Sequence, residues 1–77
     1  MLLREVLNLR SWLIDIRKSK GLTQKAVAEK ASITRQYYNF IELGQRGANL
    51  PVPTAKTIAK ILGFKWQRFY DEDKNAS

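Results

Sequence analysis

Residues 21–46 read GLTQKAVAEKASITRQYYNFIELGQR and contain the signals of two short helices joined by a very short turn. Thr23 has a side chain that suits a helix N-cap, and the helix that follows is expected to continue through Lys30. Thr34 is a second N-cap, placed so that another helix follows it to about Glu42. The stretch therefore predicts two short consecutive helices with hardly any chain between them.

Apolar residues recur at helical spacing within both of these segments. In the second segment Tyr38 and Ile41 lie three residues apart, on one face of a helix. In the first segment the positions that would face inward carry small or branched side chains. We therefore expect the inward-facing residues to be Val27, Ala28, Ala31, Tyr38 and Ile41.

Three further helices are expected outside this stretch. Leucine and isoleucine at helical spacing predict a first helix over about residues 8–19. Residues 45–53 contain glycine and proline and predict a loop. A regular i, i+3, i+4, i+7 pattern predicts a fourth helix that begins near Ala55 and ends at Gly63. Aromatic residues predict a short fifth helix over residues 65–71, so the expected fold class is all-α.

The composition indicates one small domain. A chain of 77 residues, of which 44% are hydrophobic, is long enough for one helical core and too short for two. It contains no Cys and no His, which excludes disulfides, the common zinc sites and imidazole catalysis. No stretch stays apolar for the roughly 20 residues that a membrane span needs. We therefore expect a cytoplasmic protein without a cofactor, a metal or a membrane partner.

The charge is distributed unevenly along the chain. We divide the sequence into an N-terminal extension over residues 1–7, a domain over residues 8–71 and an acidic, polar tail over residues 72–77. The net charge is +7, and residues 16–68 contain eleven Lys and Arg against two acids. A compact basic body attracts polyanions, of which nucleic acid is the commonest in a cytoplasm. The alternative is a solvated basic surface that has no partner.

Over residues 9–71 the sequence resembles the Cro/XRE repressor family. The resemblance rests on LTQ at the start of the second helix, on small Ala28 where two helices cross, on IELG and on the downstream TIAKILGF. It implies a compact five-helix, lambda-repressor-like domain with a helix-turn-helix at helices two and three. Two features depart from the family, because Ser32 stands where Gly is common and the loop after Gly44 is a few residues longer. Ser32 must then adopt a left-handed conformation, which costs about 1 kcal/mol.

The resemblance also implies an ion pair inside the domain. In similar repressors the positions of Arg17 and Glu42 carry a partly buried pair that joins helix one to helix three. The alternative is that both are ordinary surface charges. Glu42 is one of only two acids in the basic body, which favours the pair, although its net contribution to stability is expected to be small.

In a helix-turn-helix protein bound to DNA, the second helix of the motif, here helix three, lies in the major groove. Residues near the N-terminal end of that helix contact base edges. With Tyr38 turned inward, the candidates for base readout point outward or to the flanks. Arg35 suits guanine and Gln36 suits adenine. Tyr37 and Phe40 are candidates for a thymine methyl group or a sugar. For Phe40 the alternative is a side chain that folds back on the core, against Trp12 or Tyr37.

A second set of residues is expected to contact the DNA backbone. The N-terminus of helix two exposes N–H groups and the positive end of the helix dipole, which suit a phosphate, and the resemblance implies the same role for this helix end. Basic and polar side chains on either side of this helix end would make further phosphate contacts. The expected phosphate contacts are Thr23, Gln24, Lys25, Arg46 and Asn49. Such contacts fix the register of the protein on DNA and carry no sequence information.

The expected function is that of a transcriptional regulator, a repressor, that binds double-stranded DNA. Trp66 is the candidate for a contact between two copies on DNA, because the resemblance places this segment near the two-fold axis. The alternatives are a DNA-binding antitoxin, a mobile-element accessory factor, or a protein-interaction module on the same scaffold. The acids Asp15, Glu29 and Glu42 form no recognisable catalytic constellation, so we do not expect an enzyme.

Overall fold

The computed structural model describes residues 9–44 and 50–71. This part contains four longer helices, which are α1 (Ser11–Ser19), α2 (Gln24–Ala31), α3 (Arg35–Glu42) and α4 (Val52–Leu62). A single helical turn over residues 68–71, which we call α5, follows them. The described residues contain no strand, and the all-α class expected from the sequence is confirmed.

Helix α1 begins later than its sequence pattern predicts. The expected start near Asn8 lies outside the described residues, but Arg10 is not helical, with φ −85° and ψ 72°. The N–H of Arg10 donates to the carbonyl of Glu42 over 2.9 Å, at the end of α3. This contact with a distant segment holds Arg10 outside the helix, and α1 therefore starts at Ser11. Leu9, the first leucine of the pattern, is 37% exposed instead of packed in the core.

The caps and the turn of the two central helices agree with the sequence. The hydroxyl oxygens of Thr23 and Thr34 each accept a backbone N–H three residues ahead, over 3.0 Å in both cases. Ser32 has φ 60° and ψ 39°, which is the left-handed conformation expected for the turn. The N–H groups of Ser32 and Ile33 donate to carbonyls of the last turn of α2, over 3.2 and 3.0 Å. These bonds offset the strain of a left-handed residue other than glycine.

Helix α4 begins inside the segment that the sequence assigns to a loop. The loop was expected to extend to Pro53, yet the helix starts at Val52 and Pro53 occupies its second position. Proline is tolerated there because the first N–H groups of a helix have no intrahelical acceptor. The other end agrees with the sequence, since Gly63 caps α4 with a positive φ of 81°. The last helix is shorter than expected, because residues 66–67 form a turn before α5.

The core lies where α2, α3 and α4 meet α1 and α5. Among the five positions of α2 and α3 expected to face inward, only Ala31 is half-buried instead of buried. Rings of Trp12, Phe64 and Phe69 meet edge to face at centroid distances of 5.2 to 5.5 Å and close one side. The buried apolar cluster consists of Leu13, Val27, Ala28, Tyr38, Ile41, Leu50, Ala55, Ile58, Leu62 and Phe69.

Candidate nucleic-acid interface

The outer face of α3 presents polar side chains at its N-terminal end. Arg35 and Gln36 follow the Thr34 cap and are exposed, whereas Tyr38 and Ile41 on the opposite face are fully buried. The helix is therefore anchored on one face and leaves the other open to a ligand. Arg35 and Gln36, the two strongest candidates for base readout, occupy the first turn of this open face.

The two aromatic candidates on α3 lie at its flanks. Tyr37 is half-buried and packs against the apolar core, so only part of its ring is available to a ligand. Phe40 is also half-buried. Trp12, one of the partners considered for Phe40, packs against Phe64 and Phe69. Arg35 and Gln36 are thus more accessible than either aromatic side chain.

The N-terminus of α2 lies beside the middle of α3. Thr23 and Lys25 are exposed, and the Thr23 hydroxyl already accepts the N–H of Ala26. The side chain of Gln24 turns inward, where its amide nitrogen donates to Asn39 Oδ1 over 3.0 Å and to Glu42 Oε1 over 2.8 Å. Both side-chain donors of Gln24 are thereby engaged. A phosphate contact by Gln24 would therefore use its backbone N–H instead of its side chain.

Of three other predicted site residues, only Trp66 lies within the described part of the chain. Arg46 and Asn49 are outside the described residues. Trp66 is half-buried, with the Lys56 ammonium 5.2 Å from the centroid of its ring and Tyr70 edge-on at 6.0 Å. Part of the indole is therefore accessible at the surface.

Arg17 and Glu42 form the ion pair that the resemblance implies. Arg17 Nε donates to Glu42 Oε2 over 2.6 Å, and a second guanidinium nitrogen lies 3.3 Å from Oε1. Their side chains are only 11% and 2% exposed. The hydrogen bond with Glu42 raises the pKa of Arg17, although burial acts against it. Arg17 also donates to the carbonyl of Leu22 over 2.9 Å, which ties α1 to the segment before α2.

The hydroxyl of Tyr38 is buried next to this ion pair. It has no hydrogen-bond partner among the residues that the structure describes. Burial, followed by the proximity of the Glu42 carboxylate, raises the pKa of Tyr38 well above its ordinary value. The folded protein therefore holds the Tyr38 hydroxyl in its neutral form.

Arg10 is a structural residue of the site that the sequence patterns did not identify. It is 2% exposed and donates from its guanidinium to the carbonyl of Ile41, while the same group lies 5.2 Å from the centre of the Phe69 ring. A cation at the C-terminal end of α3 also suits the helix dipole. Arg10 precedes Arg17 by seven residues, so in the helix expected from about residue 8 the two would share one face, and this spacing was a usable signal.

Asn39 is a second residue that the sequence patterns did not identify. It follows Gln36 by three positions and Arg35 by four, so it lies on the same outer side of α3, one turn further along. Its side chain is half-buried because it meets Gln24. The periodicity that selected Arg35 and Gln36 also includes Asn39.

The described residues contain no group of three or more His, Cys, Asp or Glu side chains arranged to hold a metal ion. No helix in this part of the chain has the length and apolar character needed to cross a membrane.

The chain is similar in sequence to known helix-turn-helix proteins. A family model described as helix-turn-helix matches residues 13–69. A protein of Bacillus subtilis (strain 168), named "Uncharacterized HTH-type transcriptional regulator YqaF", is 42% identical over 64 residues, which cover 83% of this chain and 82% of the relative. No solved structure matches the chain significantly.

Proposed function

Because this chain belongs to the Cro/C1-type helix-turn-helix family of DNA-binding transcription regulators, we propose that it is a sequence-specific repressor whose helix α3 enters the major groove of double-stranded DNA. The observation that carries the proposal is the exposure of Arg35 and Gln36 on a helix whose other face is buried. The protein would act in the cytoplasm, and binding to an operator would block transcription by occupancy, without catalysis.

The roles of individual residues follow from the groove chemistry. Arg35 can donate two parallel hydrogen bonds to guanine, and Gln36 can pair with adenine. Tyr37 and Phe40 are placed at the flanks, where they would contact a thymine methyl group or a sugar. Thr23, the backbone N–H of Gln24 and the side chain of Lys25 would hold a phosphate at the N-terminus of α2. Arg46 and Asn49 remain proposed phosphate contacts.

A second copy of the chain is proposed to occupy an adjacent half-site. Trp66 is the candidate contact, since part of its indole is accessible beside Lys56 and Tyr70. An interface built around one partly exposed indole is small and is expected to be weak without DNA, because interfaces below about 1,000 Å² are usually transient. Trp66→Ala should then reduce cooperative occupancy of two half-sites and leave binding to one half-site nearly unchanged.

The test is to select bound DNA from a random duplex pool with the full chain. We expect one enriched motif, and two inverted copies about 10 base pairs apart would show paired binding. Arg35→Glu should abolish the enrichment. Lys60→Glu makes the same charge change on the exposed face of α4 and serves as the matched control. An unenriched pool from a folded wild-type protein would overturn the proposal and favour a protein-interaction module.

A further inference from the structure

A chain of side-chain hydrogen bonds leads from the buried ion pair to the outer face of α3. Arg17 donates to Glu42 over 2.6 Å, and the amide nitrogen of Gln24 donates to the other Glu42 oxygen over 2.8 Å. The same Gln24 nitrogen donates to Asn39 Oδ1 over 3.0 Å. Four side chains from α1, α2 and α3 are thus connected in series.

The chemistry of these groups fixes the direction of every bond. A guanidinium only donates and a carboxylate only accepts, so Gln24 must turn its NH₂ group, and not its oxygen, towards Glu42. That NH₂ group also faces Asn39, and Asn39 must therefore present its oxygen to Gln24. The NH₂ group of Asn39, at the other end of its amide, takes no part in this bond. The charge of Glu42 thereby determines which end of the Asn39 amide is available to a ligand.

We infer that Asn39 is a specificity-determining residue that offers hydrogen-bond donors to a base edge, and that Gln24 is the residue that positions it. The inference rests on the proposed DNA-binding function. Asn39 lies one turn beyond Arg35 and Gln36 on the same outer side of α3, so a helix that reads bases at its first turn brings Asn39 to the groove as well.

The fixed orientation predicts which base Asn39 prefers. An Asn that is free to rotate typically pairs with adenine through both its oxygen and its nitrogen. The oxygen of Asn39 is engaged by Gln24, and its donors match the two acceptors of guanine, O6 and N7. Cytosine presents a donor in the major groove and is rejected. We therefore expect a guanine at the base pair that Asn39 contacts.

A purely structural role for the Gln24–Asn39 bond predicts something else. A bond that only braces α2 against α3 would lower stability when removed, and it would leave the base preference of the folded protein unchanged. Base preference at a single position therefore separates the two roles, whereas overall affinity does not.

The experiment repeats the selection from a random duplex pool with wild type and with variants at Asn39 and Gln24. Asn39→Ala should lower the discrimination at one base pair by at least about fivefold and leave the other positions unchanged. Asn39→Asp replaces the outward donors by an acceptor, and it should shift that same position from guanine towards cytosine. Gln24→Ala frees the Asn39 amide to rotate, and the position should then admit adenine.

Lys25→Ala is the matched control, because Lys25 is the exposed neighbour of Gln24 on the same turn of α2. It should change affinity for all sequences alike and leave every preference as in the wild type. If a specific motif is recovered but no position responds to Asn39→Ala, or the Gln24→Ala motif equals that of the wild type, the inference is overturned and the proposed function stands. If the folded wild type recovers no motif, both are overturned.

Discussion

The C-terminal end of α3 is buried and bound from several sides, whereas its N-terminal end carries exposed side chains. At the C-terminal end Glu42 meets Arg17 and Gln24, and Arg10 donates to the adjacent carbonyl of Ile41. At the N-terminal end Arg35 follows a single threonine cap and faces solvent. We propose that the buried end supplies stability and the exposed end recognition, because a helix that contacts DNA needs a rigid support to hold its side chains in register.

The largest effect is expected at the buried end. Glu42→Ala removes the partner of Arg17 and one acceptor of Gln24, and it leaves a guanidinium largely buried without its counter-charge. We expect the free energy of unfolding to fall by about 2 to 4 kcal/mol, a large fraction of the stability of so small a domain. Urea unfolding followed by circular dichroism measures this loss.

Glu29→Ala removes an exposed acid from α2 and is the control for the charge change. Its unfolding free energy should stay within about 0.5 kcal/mol of the wild type. Equal stability of the Glu42 and Glu29 variants would show that the C-terminal end of α3 does not anchor the helix.

At the exposed end the effect should fall on binding and spare stability. Arg35→Ala is expected to weaken binding to the selected operator by about 1 to 3 kcal/mol and to relax the preference at one base pair. Its unfolding curve should overlay that of the wild type, since Arg35 is exposed. Affinities for a set of single-base operator variants test this, and an unchanged preference at every position removes Arg35 from the base-reading residues.

The buried end should also respond to alkaline pH. In the unfolded chain Tyr38 loses its proton near its ordinary pKa of 10.0, whereas the raised pKa in the folded protein keeps it neutral. The unfolded state then binds fewer protons, so above about pH 10 stability should fall by up to about 1.4 kcal/mol per pH unit through this group.

Tyr38→Phe should lose this part of the alkaline slope and be close to wild type in stability at neutral pH, because the hydroxyl that it removes has no partner among the described residues. Denaturant unfolding at several pH values between neutral and strongly alkaline measures the difference. Tyr37→Phe, at the neighbouring half-buried position, is the control. Parallel pH profiles for wild type and Tyr38→Phe would contradict the assignment.

The smallest effect is expected at the N-terminus of α2, at the edge of the proposed DNA-binding surface. Lys25→Ala removes an exposed cation next to the N-terminus of α2. Affinity should fall equally for all DNA sequences, and the slope of log K against log salt should become shallower by about 0.9, as for one lost phosphate contact. Titrations at several salt concentrations give the slope, and an unchanged value means that Lys25 does not reach a phosphate.

The same contrast explains which parts of the structure the sequence predicts. Thr23, Thr34 and Gly63 act on the backbone within a few residues of themselves, so their caps follow from local chemistry. The start of α1 does not follow from local chemistry, because the N–H of Arg10 is held by the carbonyl of Glu42, which lies 32 residues further along the chain. Local patterns contain no information about that partner.

The site shows the same division. Arg35 and Gln36 follow from helical periodicity and the position of a cap. The inward turn of the Gln24 side chain does not follow from periodicity, because it requires Glu42 to be in place. The outward donors of Asn39 depend in turn on Gln24. Helix faces can therefore be predicted from sequence, whereas the orientation of an amide requires the tertiary structure.

The most direct test of the account is an NMR titration of the isotope-labelled full chain with a duplex that contains the selected motif. We expect the largest backbone amide shifts at residues 23–25 and 34–40, with only small changes on α4. The Glu42 amide, at the anchored end, should shift less than that of Gln36. The largest shifts on α4 and α5, with α3 unperturbed, would contradict the claim that the N-terminal half of α3 reads DNA.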